Sequence, residues 1–151
     1  EFATHEDRQY LDCWCKETTG NQDLSELQHN WCLRLDRITD AAVSPIAGQW
    51  RSRLAFIPVE LHLLRGLAFA YQTKGAIDEV NEWSAALPQV RRVVRRVSST
   101  FWLIREVLRY GRDCEIVAPD LVRDRLKQEL EPLCQMYGLS LEEESVTRSL
   151  E

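Results

Sequence analysis

The sequence predicts an α+β protein in two parts, and three observations predict it. Residues 8–15 and 31–38 alternate in the two-residue period of a strand and carry no helical period. A stretch rich in β-branched residues and arginine, "QVRRVVRRV", follows near residue 90, and a helical pattern opening at Pro119 closes the chain. The 151 residues suffice for one ordinary domain or two small ones with a real core. Early strands without helices point to a small barrel or an open sheet; the mixed pattern after residue 53 points to an α+β second part.

Each element has its own signal. In "RQYLDCWC" (8–15), Tyr10, Asp12 and Trp14 face one way and Leu11, Cys13 and Cys15 the other, a strand partly buried on both faces. The polar segment 16–30, with Gly20-Asn21, reads as a loop or long hairpin connection. "WCLRLDRI" (31–38) reads as the next strand, but its polar positions hold Arg34 and Asp36. The order inverts at its end, placing Arg37 on the face of Trp31, Leu33 and Leu35. Residues 40–52, with Pro45 and Gly48, form the linker.

The second part opens with "FIPVELHLLRGLAFAYQ" (56–72), nearly continuous in apolar residues: a buried strand from Val59 or a buried helix. Residues 73–88 read as a connection with a short helix around Ile77 to Trp83. Residues 89–110 fit two patterns. Val90, Val93, Val94 and Val97, extended by Phe101, Ile104 and Leu108, fit one amphipathic helix. A strand to Val97, a cap at Ser98 or Ser99 and a helix from Thr100 to Tyr110 fit equally, with Gly111 as the stop. "CEIVAP" (114–119) is a short strand, with Pro119 in the first turn of the last helix. That helix is expected to bury Leu121, Val122, Leu126, Leu130, Leu133 and Tyr137, with a kink at Pro132. Residues 139–151 are read as a charged, mobile tail.

Charge is unevenly spread. The net charge is −5, and arginine supplies 16 of the 19 basic residues. Seven arginines against Glu106 alone fall between Gln89 and Arg112, a net +6 that leaves −11 elsewhere. Guanidinium groups fork onto phosphate or carboxylate. Arg91, Arg92, Arg95 and Arg96 are therefore candidates for nucleic-acid binding, against the alternative that the cluster pairs with the acid-rich C-terminal helix.

Several functions are disfavoured. No apolar run of about 18 residues is available to span a membrane. There is no secretory signal, and the five cysteines, odd in number and irregularly spaced, fit reduced cytoplasmic thiols. The chain opens in what reads as folded sequence, so a fragment is expected. His5, His29 and His62 lack metal-site spacing, and Cys13 and Cys15 lack two further ligands, so no metal or cofactor is expected. Trp14, Trp31, Trp50, Trp83 and Trp102 are read as core or interface residues. No phosphate-cradling loop, nucleophile elbow or paired carboxylate is seen, and no enzymatic activity is expected.

The order of elements resembles the WYL-domain family of bacterial transcriptional regulators. Gln9-Tyr10-Leu11 stands at the namesake Trp-Tyr-Leu element, and Leu33-Arg34-Leu35-Asp36-Arg37-Ile38 at the family's Phe-Arg-Leu-Asp-Arg-Ile element. The run from Phe101 to Tyr137, a helix ending in Gly, a strand ending in Pro and a final helix, is similar to the family's C-terminal extension. Its aromatic, arginine-rich character looks closer to cyanobacterial CRISPR-associated members than to the generic family.

The resemblance implies a partial Sm/SH3-like small β-barrel, a WYL domain at 1–52 lacking its first strand, followed by a ferredoxin-like α+β extension at 53–138. It implies the ligand-sensing and dimerisation half of a regulator whose N-terminal helix-turn-helix, absent here, grips promoter DNA. Tyr10, Arg34 and Arg37 are the implied ligand residues, with single-stranded nucleic acid or a nucleotide-like anion as ligand and a homodimer as the assembly. The face inversion at Asp36 and Arg37 would be a bulge or strand end that re-aims a side chain. The rival readings are a constitutive nucleic-acid-binding module and a purely structural dimerisation domain.

Overall fold

The computed structural model of the chain describes residues 2–45, 47, 48, 51 and 53–139. Trp50 and the tail from residue 140 lie outside them. The architecture is α+β, with two antiparallel sheets and no closed barrel among the described residues.

The first sheet has three strands in the order β1-β2-β3: β1 (Phe2–His5), β2 (Arg8–Trp14) and β3 (Asn30–Arg34). No strand is predicted ahead of Tyr10, yet β1 pairs with β2 through the two-residue turn Glu6-Asp7. Both turn residues have positive φ (50° and 61°), the requirement of a type I′ hairpin. The strand predicted at 31–38 ends at Arg34, and residues Leu35–Arg37 form a 3-10 turn. The face inversion in the sequence is therefore a strand end rather than a bulge.

The second sheet has four strands in the order β5-β6-β4-β7, all antiparallel. The apolar run 56–72 divides into both predicted forms, strand β4 (Ile57–Leu63) and helix α1 (Arg65–Ala70). The helix predicted around Ile77 to Trp83 is instead strand β5 (Asp78–Trp83). Its partner explains this: Asp78 and Glu82 lie opposite Arg95 and Arg92 of β6 (Arg91–Val97), so acids meet arginines across the ladder. Of the two patterns open for 89–110, the strand-then-helix pattern holds, with α2 at Thr100–Tyr110 ended by Gly111 at φ 56°. Strand β7 (Cys114–Ala118) and helix α3 (Asp120–Met136) complete the chain.

The core lies on one face of this sheet. Val59, Leu61 and Leu63 of β4, Val93 and Val97 of β6 and Ile116 of β7 pack with Leu103 and Val107 of α2 and Val122 of α3. Helix α3 buries less than its sequence predicts. Val122 is buried and Leu126 packs against the core, but Leu121, Leu133 and Tyr137 are exposed. With Met136 they place exposed apolar side chains at the two ends of α3, either side of a charged middle.

The polar segment 16–30 is a structural anchor rather than a plain connection. Leu27 is fully buried and Leu24 packs against the core. No serine side chain caps α2; Asp23 does, accepting from the Thr100 amide at 2.9 Å and the Thr100 hydroxyl at 2.6 Å. Asn30 donates to the carbonyls of Ala55 and Ser98, both at 2.8 Å. Replacing Asp23 with alanine leaves the buried Thr100 amide and hydroxyl without this acceptor. The expected loss is about 1–3 kcal/mol, measured by urea unfolding.

Candidate ligand cleft

The even-numbered face of β2 carries Tyr10, Asp12 and Trp14. Across the ladder, Tyr10 stands opposite Arg34 and Asp12 opposite Cys32, while β1 adds Ala3 beside Tyr10. This face looks onto α2. Trp102 stacks on His5 with ring centres 4.1 Å apart and 9° between planes, and Tyr10 meets Trp102 edge-on at 5.3 Å.

Between the first sheet and the β6–α2 segment lies an open cleft of about 910 Å³. His5, Asp12 and Cys32 line it from the sheet, Trp102, Arg105 and Arg109 from α2, and Arg95 and Arg96 from β6. Arg105 reaches Glu6 at 2.6 Å across the cleft, with both side chains about half exposed or more (49% and 59%). Solvent screens such an exposed pair, so a phosphate can displace the carboxylate at little cost. Arg105 also lies over the Phe101 ring at 5.4 Å, and Arg109 over Tyr110 at 5.5 Å.

The predicted ligand residues are only partly gathered. Tyr10 and Arg34 sit side by side, and Tyr10 touches the cleft through His5 and Trp102. Tyr10, Arg34 and Arg37 do not themselves line it. The Arg34 Nε donates to Asp36 at 2.5 Å, while Arg37 is exposed in the 3-10 turn.

The four arginines of β6 do not form one surface, because their strand alternates. Arg91 and Arg95 share the core face with Val93 and Val97; Arg92 and Arg96 project from the other face. Arg91 donates to the carbonyls of Ala68 and Tyr71, both at 3.2 Å. Arg95, with 4% of its side chain exposed, bridges Asp78 at 2.8 Å and Glu106 at 2.9 Å and donates to the Tyr71 hydroxyl. Arg92 spans Glu60 at 2.8 Å and Glu82 at 3.0 Å and holds the Glu60 carboxyl below its ordinary value. Arg96 lies over the Phe56 ring at 3.9 Å. The expected partner, the acidic C-terminal helix, is thus replaced by acids of β4, β5 and α2. Helix α3 satisfies Arg123 and Lys127 within itself.

Three potential metal donors also meet in the cleft. The nearest donor atoms of His5, Asp12 and Cys32 all lie within 4.8 Å of one another. They were invisible to spacing rules because each comes from a different strand. His5, Trp102, Arg105 and Arg109 are the cleft residues that sequence reasoning missed. The arginine count around α2 is the one signal that pointed toward them.

Comparison with known proteins places the second part. Residues 73–133, from just before β5 into α3, match the WCX domain, the C-terminal domain associated with WYL. A match to this domain fits the C-terminal part of a WYL-type regulator. No curated protein matches the chain. Among the described residues no helix is long and apolar enough to cross a membrane.

Proposed function

We propose that the chain is the ligand-sensing and dimerisation half of a WYL-type transcriptional regulator. Its cleft takes single-stranded nucleic acid or a nucleotide-like anion, and occupancy is read by a separate DNA-binding domain. The observation that carries this is the cleft wall: Trp102 offers a stacking partner for a base, while Arg105 and Arg109 offer charge for a phosphate. Tyr10, Arg34 and Arg37 extend the same basic and aromatic character beyond the rim. The strand order β5-β6-β4-β7, with helices after β4 and β6, supports a ferredoxin-like reading of the second part. The exposed apolar residues of α3 support it as the homodimer contact.

Fluorescence anisotropy with short single-stranded DNA and RNA and a duplex control, at two salt concentrations, tests the reading. Arg105→Ala/Arg109→Ala is expected to weaken single-strand binding about 100-fold or more, from about 1.5 kcal/mol per charged contact. Its salt slope should fall by about 0.7 for each phosphate contact removed. Arg34→Ala/Arg37→Ala is expected to have a smaller effect. Equal affinity for wild type and the Arg105/Arg109 variant would remove the proposed cleft.

The internal pairing of Arg92 and Arg95 favours a second reading, a purely structural dimerisation domain. That reading predicts no binding of single strands under either salt condition.

A further inference from the structure

We propose that His5, Asp12 and Cys32 form a binding site for a divalent metal ion of the zinc type. The site stands on the donors themselves and does not depend on the cleft's occupant being an anion.

Topology makes the site. Cys32 is paired with Asp12 across the β2–β3 ladder, so their side chains leave the same face. The tight turn at Glu6-Asp7 folds β1 back so that His5, opposite Arg8, lies on that face too. One nitrogen, one oxygen and one sulfur donor therefore converge within 4.8 Å, each partly buried. Around a tetrahedral ion with bonds of about 2.0–2.3 Å, donor atoms stand about 3.3–3.8 Å apart. The side chains need close by only about 1 Å, within the reach of χ rotations.

The donor set selects the ion. Calcium and magnesium want oxygen shells, whereas mixed imidazole, thiolate and carboxylate suits zinc and its neighbours. Asp12 and a Cys32 thiolate together neutralise a dication. Three protein ligands leave a fourth position for water, on the side open to the cleft.

The surroundings resemble a supporting shell. Trp102 stacks flat on the His5 ring and so fixes its plane. The Trp102 indole N–H donates to the Cys32 sulfur at 3.4 Å, a contact that stabilises thiolate. In the protein as it stands, burial and then the hydrogen bond to Asp12 push the Cys32 thiol up to about 12. On binding, the S–H proton passes to solvent. The sulfur, a His5 ring nitrogen and an Asp12 oxygen then each give a lone pair to the ion.

Titration of the full chain with Co²⁺ tests the assignment. The wild type is expected to develop a thiolate-to-cobalt charge-transfer band and intense tetrahedral d–d absorption, both abolished by added Zn²⁺. Cys32→Ser should lose the charge-transfer band, and His5→Gln and Asp12→Asn should each weaken binding at least about 10-fold. Cys13→Ser/Cys15→Ser, which removes the neighbouring thiol pair, should keep the band. His5→Gln lies on an edge strand and preserves the fold, which far-UV circular dichroism checks, so the test survives misfolding of Cys32→Ser. No band in the wild type, a band that persists without Cys32, or one that needs Cys13 and Cys15 overturns the site.

Discussion

Replacing Arg95 with alanine is expected to lower stability by about 3–5 kcal/mol, with a fall in Tm of about 10 °C or more. The Arg95 side chain is 4% exposed, and the Asp78 carboxylate it holds is completely buried. Removing the guanidinium leaves the buried Asp78 and the partly buried Glu106 with one fewer cation between them. Arg92→Ala, on the opposite face of β6, removes two ion pairs whose carboxylates reach solvent, and should cost far less. The contrast between the two variants separates the buried network from the surface one.

The same network sets the acid response. Burial pushes the Glu106 carboxyl up, but the Lys74 hydrogen bond and the Arg95 charge outweigh it, and the net direction is down. A carboxylate lowered in the fold stabilises it above the unfolded value of about 4.3 and loses that stabilisation as pH falls through the folded value. Without Arg95 the Glu106 carboxyl rises, so acid unfolding of Arg95→Ala should begin at higher pH. An unchanged acid midpoint, followed by circular dichroism, would show that the Lys74 contact alone holds Glu106 down.

Leu63→Ala is expected to cost about 2–5 kcal/mol. Leu63 is 1% exposed in the central strand β4, opposite Arg91 of β6 and Cys114 of β7, so its removal opens a cavity walled by three strands. Strands on both sides resist collapse into the gap, which places the cost toward the upper part of the range. The urea midpoint should fall with no change in slope, since the folded surface is preserved.

What was legible in the sequence followed local period and local punctuation. Alternation disclosed β2 and β3, Gly111 marked the end of α2, and the segments of β4 and β6 stayed open between strand and helix. Where the decisive partner was distant, the sequence misled. "DEVNEW" lacks an apolar alternation, and it is a strand because Arg92 and Arg95 stand across from its acids. "GNQDLSELQHN" looks like solvent-loving chain, yet Asp23 caps a helix 77 residues away and Asn30 reaches Ser98 across 68. Tyr10 and Arg34 could be paired by motif, whereas His5 could not, because a two-residue turn at positive φ decides where β1 lies. The arginine count located the cluster, but strand alternation turns half of those on β6 inward, onto Asp78, Glu106 and backbone carbonyls.

The ties between the two parts have a mechanical consequence. Asn30 and Asp23 both end on the residues that join β6 to α2, through short bonds to buried partners. At the opposite edge of the first sheet, the exposed Glu6–Arg105 pair is the counterpart. The cleft is thus pinned along the β3 side and held on the β1 side by the exposed charge pair together with the stack of Trp102 on His5. Salt weakens the charge pair and leaves the stack and the pins intact, so ionic strength bears on only one of the contacts that hold the two walls together.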